Sequence, residues 1–326
     1  MTEVFHLSGW RYRAVILSVV CSVLGYLAFS LWGGWQEVGN AVARVGIFGI
    51  AMALLMSTLN YALRFLRWQS YLAAFGHALP WWPSLRIYLA GFALTTTPGK
   101  AGEALRGVLL KPWGVPYPQS FAAFFSERLS DLFAVVLLAL FGLTLYPDAR
   151  PMILVGVVLV AVGFTLLSRR RLIEKLTTSI PESGGKLSRL VRHLFHVLLE
   201  AQRCHQPGVL LGATLSSLLA WGAEALAFYW ILGWMGADIS LEFAMFVYAI
   251  SMLAGALSFM PGGLGSAEAV MVALLVWKGM ANADAVAATV LIRLATLWFA
   301  VGIGVVHLIG FQKEAKSPFQ SGGLGG

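Results

Sequence analysis

Apolar residues run along this chain in long blocks, and polar residues gather between them. Stretches of about 18 or more apolar residues predict membrane-crossing helices. Six stand out, at Ala14–Trp32, Val45–Leu63, Gln119–Tyr146, Met152–Ser168, Val209–Trp234 and Ala285–Ile309. The first follows Arg11 and Arg13 and contains Ala28-Phe29-Ser30, which imitates a signal-peptide cleavage site. Its apolar core is longer than the ~7–15 residues of a signal core, so a retained helix is expected. Two further apolar stretches are interrupted, by "TTTPGKAGEALRG" at 95–107 and by "SFMPGGLGSAEA" at 258–269. Proline stops a helix and glycine permits a turn, so Pro98-Gly99 and Pro261-Gly262 mark breaks inside apolar surroundings. Between 187 and 198 the pattern changes: Leu187, Leu190, Val191, Leu194, Phe195 and Leu198 recur at helical spacing opposite Arg189, Arg192, His193 and His196. That predicts an amphipathic helix, lying either on an anionic membrane surface or against the protein's own cytoplasmic side.

Composition supports this reading. Charged residues make up 12% of the 326, against about 25% in soluble domains, and mean hydropathy is +0.78. The expected class is an all-α integral membrane protein. Cys21 and Cys204 fall in a span and a basic loop, and make no disulfide framework. The six histidines are scattered without metal-ligand spacing, and no metal or cofactor is expected. No G-x-x-x-x-G-K-[ST] motif occurs: "GKAGEALRG" has the Gly-Lys pair without the preceding loop.

The net charge of +8 is uneven. Residues 168–206 hold Arg169, Arg170, Arg171, Lys175, Lys186, Arg189, Arg192 and Arg203 against Glu174, Glu182 and Glu200. The positive-inside rule accounts for this segment as cytoplasmic, with no nucleic-acid partner needed. Tracing the spans from it, with Arg11 and Arg13 inside at one end and Lys313 and Lys316 at the other, gives an N-in, C-in topology. Arg64, Arg67 and Arg86 then fall on the cytoplasmic side. Each interrupted stretch must enter and leave by one face, the first from the cytoplasm and the second from outside.

The two breaks look like copies. Pro98-Gly99-x-x-Gly102-Glu103 corresponds to Pro261-Gly262-x-x-Gly265-x-x-Glu268, and Arg128-Leu129-x-x-Leu132 to Arg293-Leu294-x-x-Leu297. The expectation is a pair of inverted repeats, about 45–146 and 209–310, each with a re-entrant helical hairpin broken at Pro-Gly. They lie within a single membrane domain, 1–312, followed by a flexible tail at 313–326. Broken helices meeting near the midplane are the architecture of secondary transporters, where half-helix N-termini favour anions.

Glu103, Glu127, Arg128, Asp131, Glu224, Glu268 and Arg293 fall within the expected hydrocarbon zone. A charge there costs about 2.5–3.5 kcal/mol on insertion scales, so such residues face a cavity or a partner. One reading makes Arg128 and Arg293 a symmetric cationic pair for a phosphate-like anion, with the carboxylates holding them or taking up protons. The other makes Glu103–Arg128 and Glu268–Arg293 closed structural ion pairs. Lys100 and Arg106 either belong to the site or reach the headgroups, and Glu224 could serve either role.

"PGKAGEALRG", "SERLSDLFAVVLL", "PGGLGSAEA" and "LIRLATLWFAVGIGVV" resemble the lysylphosphatidylglycerol synthase transmembrane family, with similarity over roughly residues 10–312. The resemblance implies a lipid substrate moved between leaflets: a phospholipid, polyprenyl phosphate or hopanoid-type lipid. It also implies a bacterial inner membrane location and possible lipid-biosynthetic enzymes as partners. The aminoacylating members carry a large soluble domain after the membrane part, so lysyl transfer is not carried over. The alternatives to transport are a membrane enzyme acting on a lipid headgroup through Glu103, Glu127 or Asp131, and a scaffold for lipid-modifying enzymes.

The topology is testable by cysteine labelling. Cysteines at 113 and 187 are expected to react only from the cytoplasm, and those at 148 and 238 only from outside. Labelling of 113 from outside would turn the first hairpin into a full span.

Overall fold

A computed structural model describes residues 35–96, 101–140, 150–180, 185–258 and 260–316. Among them the chain is helical, with no strand. The expected span Ala14–Trp32 and the first tip, Pro98, Gly99 and Lys100, lie outside the described residues, as does the tail after Lys316.

Helix α1, Trp35–Ala74, bends at Gly46 and runs eleven residues past the Leu63 at which its apolar block ends. Helix α2, Trp81–Ala90, continues through a 3-10 turn, Gly91–Leu94, toward the first break. After the break come α3, Ala101–Leu110, and α4, Tyr117–Leu140. Helix α5 spans Arg150–Ser168. Two amphipathic helices follow, α6, Arg170–Ser179, and α7, Lys186–Ala201. The second half holds α8, Pro207–Trp234, α9, Leu241–Leu257, and α10, Ser266–Trp277. Last come α11, Asn282–Arg293, a π turn at Leu294–Trp298, and α12, Phe299–Lys316. The tail expected to begin at 313 is therefore helical as far as Lys316.

Among the described residues, four helical stretches are long and apolar enough to cross a membrane: Gln36–Ala74, Arg150–Leu167, Pro207–Trp234 and Asn282–Phe311. Helix α4 has the length but carries Glu127, Arg128 and Asp131. The outward faces suit lipid. Leu154, Val155 and Val158 on α5 and Leu211, Leu215 and Leu219 on α8 are exposed, where water would penalise them. This is an all-α, multi-pass integral membrane protein.

The two halves run through similar elements. Helix α1 ends at a left-handed Gly76, and α8 at a left-handed Gly236; in both, the residue after the glycine donates back to the helix in the Schellman manner. Gly114 before α4 and Gly279 before α11 form a second such pair. Packing follows the same scheme. Helix α1 lies along α8, α4 packs on α8 and α9, and α11 with α12 packs on α1, α2 and the 3-10 turn. Asn60 Nδ2 donates to Ala220 O at 2.9 Å across the buried α1–α8 contact.

One core surrounds α8, α9 and α11, built around Phe228, Phe246, Tyr248 and Ile250. A second, aromatic core joins α1, α2 and α4 through Phe65, Trp68, Tyr71 and Tyr88. Helix α7 divides its faces. Val197 and Ala201 are buried in the second core and pack toward α4, while Leu190 and Leu194 face outward beside exposed Arg189. Packing against the protein itself, one of the two readings of the amphipathic pattern, therefore holds for the edge that carries Val197 and Ala201. Helix α6, which the apolar pattern did not predict, buries Ile173. Cys204 is not in an open loop but buried in the 3-10 turn before α8, and burial pushes its thiol up to about 12.

Gly304 is where α12 meets the 3-10 turn. A Cβ there would lie 2.2 Å from Ala93 N, backbone against backbone, so neither side can yield by a rotamer change. At Gly302 a Cβ would meet nothing within 4 Å. Gly304→Ala is expected to cost about 1–3 kcal/mol or more through overpacking. Gly302→Ala is expected to be neutral or to stabilise by up to about 1 kcal/mol through helix propensity. Thermal melts in detergent would separate them, and equal melts would show that α12 does not pack this closely.

Candidate functional site

Glu127 and Asp131 are four residues apart on α4 and so share one face. Each is 5% exposed or less. Two buried carboxylates side by side would repel, and the fold answers with arginines from three helices.

Asp131 is the centre. Its Oδ1 accepts from Arg67 Nη1 at 2.7 Å and from Trp221 Nε1 at 3.2 Å. Its Oδ2 lies 3.1 Å from Arg64 Nη2 and 3.0 Å from Arg128 Nη2. Arg64 and Arg67 come from α1, Trp221 from α8, and Arg128 from α4 itself. Glu127 Oε2 accepts from Arg106 Nη2 of α3 at 2.9 Å. Gly91 makes room for that arginine, because a Cβ there would lie 2.9 Å from the Arg106 stem.

Aromatic faces hold the guanidiniums in place. Arg106 stands 5.3 Å from the Tyr88 ring centre, Arg64 5.7 Å from Trp221, and Arg128 5.5 Å from Phe124. Arg67 Nη1 also donates to Ser217 Oγ at 2.5 Å.

The charges do not balance. Among the described side chains, four guanidiniums meet two carboxylates. Arginine does not deprotonate in proteins, so the surplus is fixed positive charge. Donors are also in excess: Arg64 Nε, Arg67 Nε and Nη2, and Arg128 Nε are buried without an acceptor among the described residues. Exposure grades across the cluster. The Arg67 side chain is fully enclosed, those of Arg106 and Arg64 are 10% and 14% exposed, and that of Arg128 is 31% exposed. The cluster therefore opens at Arg128.

The second half is arranged differently. Glu268 Oε1 accepts from Arg293 Nε at 2.6 Å, and Glu268 Oε2 accepts from Gly265 N at 2.6 Å, so one carboxylate both caps α10 and holds the arginine. Arg293 Nη2 donates to Gly262 O at 3.0 Å, which ties α11 to the Pro261–Gly263 turn. Both side chains are 5% exposed or less. Arg128 and Arg293 thus stand in different settings, the first in a cationic cluster and the second in a closed pair.

Glu224 on α8 is 5% exposed and accepts from Tyr248 Oη at 2.5 Å. Glu103 belongs to α3, but its side chain, like Pro98, Gly99 and Lys100, lies outside what is described. A separate open cavity of about 500 Å³ is lined by Pro118, His196, Leu199, Glu200 and Arg203 and includes none of the cluster residues. No group of three or more metal-ligating side chains occurs among the described residues.

Sequence reasoning put Arg64 and Arg67 on the cytoplasmic side, beyond the apolar block that stops at Leu63, and did not name them as site residues. One signal could have found them. Trp68, Tyr71 and Leu72 continue the helical pattern beyond them, so the arginines sit within a helix that goes on burying residues.

The transmembrane-region model of lysylphosphatidylglycerol synthase matches residues 15–304. The chain belongs to that family. The matched region covers every element from α1 to α11 and, with them, both charged clusters. Similar proteins are archaeal. A UPF0104 membrane protein of Methanothermobacter thermautotrophicus is 27% identical, over 94% of this chain and 98% of its own length. One of Pyrococcus horikoshii is 24% identical, over 91% and 97%. A second protein of that name from Methanothermobacter thermautotrophicus is 25% identical, over 87% and 90%.

The Glu268–Arg293 geometry has a testable consequence. Arg293→Gln leaves Glu268 buried without its cation, at a cost of about 3–5 kcal/mol. Glu268→Gln with Arg293→Gln is expected to recover most of that loss. Arg128→Gln is expected to cost far less, because Asp131 keeps Arg64 and Arg67. Thermal melts of the three variants check the order, and a double variant no more stable than Arg293→Gln would mean that the pair is not closed.

Proposed function

We propose that this protein is a lipid transporter of the flippase type. On this reading it moves a phospholipid, polyprenyl phosphate or other modified lipid with an anionic or zwitterionic headgroup between the leaflets of a cytoplasmic membrane. One observation carries the reading: among the described side chains, three guanidiniums close on the one carboxylate of Asp131, and Arg64, Arg67 and Arg128 keep buried donors to spare. Excess cationic charge in a low-dielectric interior is costly, and a phosphate-like group offset by that excess lowers the cost. Arginine's planar fork suits phosphate and carboxylate.

The paired element boundaries support inverted repeats, with α2–α3 and α9–α10 as re-entrant hairpins entering from opposite faces. Gly262 lies against Thr96, 3.4 Å from its methyl to an added Cβ, so the ends of the two hairpins adjoin. The positive-inside bias supports an N-in, C-in topology, with 168–206 in the cytoplasm. In that frame the opening at Arg128 is the headgroup entrance, and a lipid's acyl chains stay among the exposed leucines and valines outside. Transport runs downhill or coupled to an ion gradient.

Proteoliposomes containing fluorescent phosphatidylglycerol would test this. Wild type is expected to expose inner-leaflet lipid to an external quencher. Arg128→Gln is expected to slow that about tenfold or more, the value of one charge-assisted contact. Full activity in Arg128→Gln would remove the cluster from the transport path, and chemical conversion of the lipid would make the protein an enzyme.

A further inference from the structure

Glu224 is the buried acid that the arginine clusters leave aside. Glu127, Asp131 and Glu268 each have an arginine within 2.9 Å or less. Among the described residues no cation lies within ion-pair distance of Glu224, whose partner is the Tyr248 hydroxyl. It nevertheless stands between the two clusters. Trp221, one turn back on α8, donates to Asp131, and the groups facing Glu224 come from every neighbouring helix. From α1 these are Tyr61 and Arg64, from α4 Asp131, from α9 Tyr248, and from α11 Arg293. Both arginines are already committed, Arg64 to Asp131 and Arg293 to Glu268 and Gly262.

The backbone beside it is unusual. The π turn Leu294–Trp298 interrupts the long α11–α12 helix at this level, and such insertions gather at functional positions. Tyr61 donates to the Thr296 carbonyl within that turn, and the Thr296 hydroxyl faces Tyr248. Hydroxyls from α1, α9 and the π turn thus gather around one carboxyl. A buried carboxyl with no cation is tolerated when it can carry a proton. A Tyr hydroxyl can donate to it in either state.

We infer that Glu224 is the proton-binding site of a proton-coupled mechanism, in which one proton on its carboxyl accompanies each anionic headgroup held at the Arg64–Arg128 cluster. This rests on the transport reading above. The linkage is electrostatic. An anion beside Arg64 cancels part of the positive field that favours ionised Glu224, so anion and proton favour each other's binding. The proton comes from water and returns to it, Glu224 passing from carboxylate to carboxylic acid and back, and anion plus proton cross together without net charge. Asp131 and Glu268 keep their arginine partners throughout.

The probe is a water-soluble short-chain phosphatidylglycerol added to purified protein in weakly buffered detergent solution containing a pH dye. Wild type is expected to take up about one proton per lipid bound. Glu224→Gln, which can still accept from Tyr248, is expected to bind lipid without proton uptake; Tyr248→Phe is expected to keep the uptake with altered pH dependence. Lipid binding by wild type without uptake, or equal uptake by Glu224→Gln, would overturn the inference while leaving transport intact. Infrared difference spectra between wild type and Glu224→Gln decide the matter if this lipid does not bind at all. A titrating carboxylic-acid band belonging to Glu224 would keep the proton site, and its absence would remove it.

Discussion

A carboxylate inside a membrane protein has to be neutralised, and Asp131 is neutralised by recruiting guanidiniums from α1 and its own helix, with an indole from α8 completing its shell. Much else follows from that requirement. Helix α1 must run past its apolar block to deliver Arg64 and Arg67. Helix α8 must lie against it closely enough for Trp221 and Ser217 to reach the same groups. The aromatic core of Trp68, Tyr71 and Tyr88 excludes water around the cluster and lends its ring faces to Arg106. Removing Asp131 would leave mutually repelling cations at the junction of α1, α4 and α8.

The two halves use one sequence of elements for different ends. In the second half Glu268 and Arg293 close on each other, and Arg293 Nη2 grips the turn at Gly262. That arrangement ties α11 to α10 and to the Pro261–Gly263 turn. In the first half, among the described side chains, three guanidiniums close on Asp131, and Arg128 remains partly exposed. Buried pairs usually add little stability beyond what their desolvation costs, but they do fix geometry. The closed pair can thus serve as a frame against which the more open cluster works.

Much was legible in the sequence because a bilayer imposes simple demands. A helix that crosses must be apolar for about 20 residues, which marked α1, α5, α8 and the α11–α12 run. Pro261-Gly262 inside an apolar stretch marked the break between α9 and α10, since a proline in a helix interior removes a hydrogen bond and clashes with the preceding turn. Glu268 with Arg293 as a closed ion pair was one of the two readings of the sequence, and that contact closes at 2.6 Å. Family membership was legible in the same motifs.

What the chain alone could not specify was which arginine meets which acid. Arg64 and Asp131 are 67 residues apart, and Arg67 and Ser217 are 150 apart. No local periodicity connects such positions; only the packing of α1 along α8 and α4 brings them together. Charge counting by loop treated Arg64 and Arg67 as markers of the cytoplasmic face, because an arginine after an apolar block reads the same whether its helix stops there or continues. That no cation among the described residues lies within ion-pair distance of Glu224 is likewise a tertiary fact. Composition along the chain determined that charges lie within the membrane helices. The three-dimensional arrangement decided which are paired, which are in excess, and which acid keeps only a hydroxyl for company, because ion pairing depends on distances of a few ångströms that sequence separation does not encode.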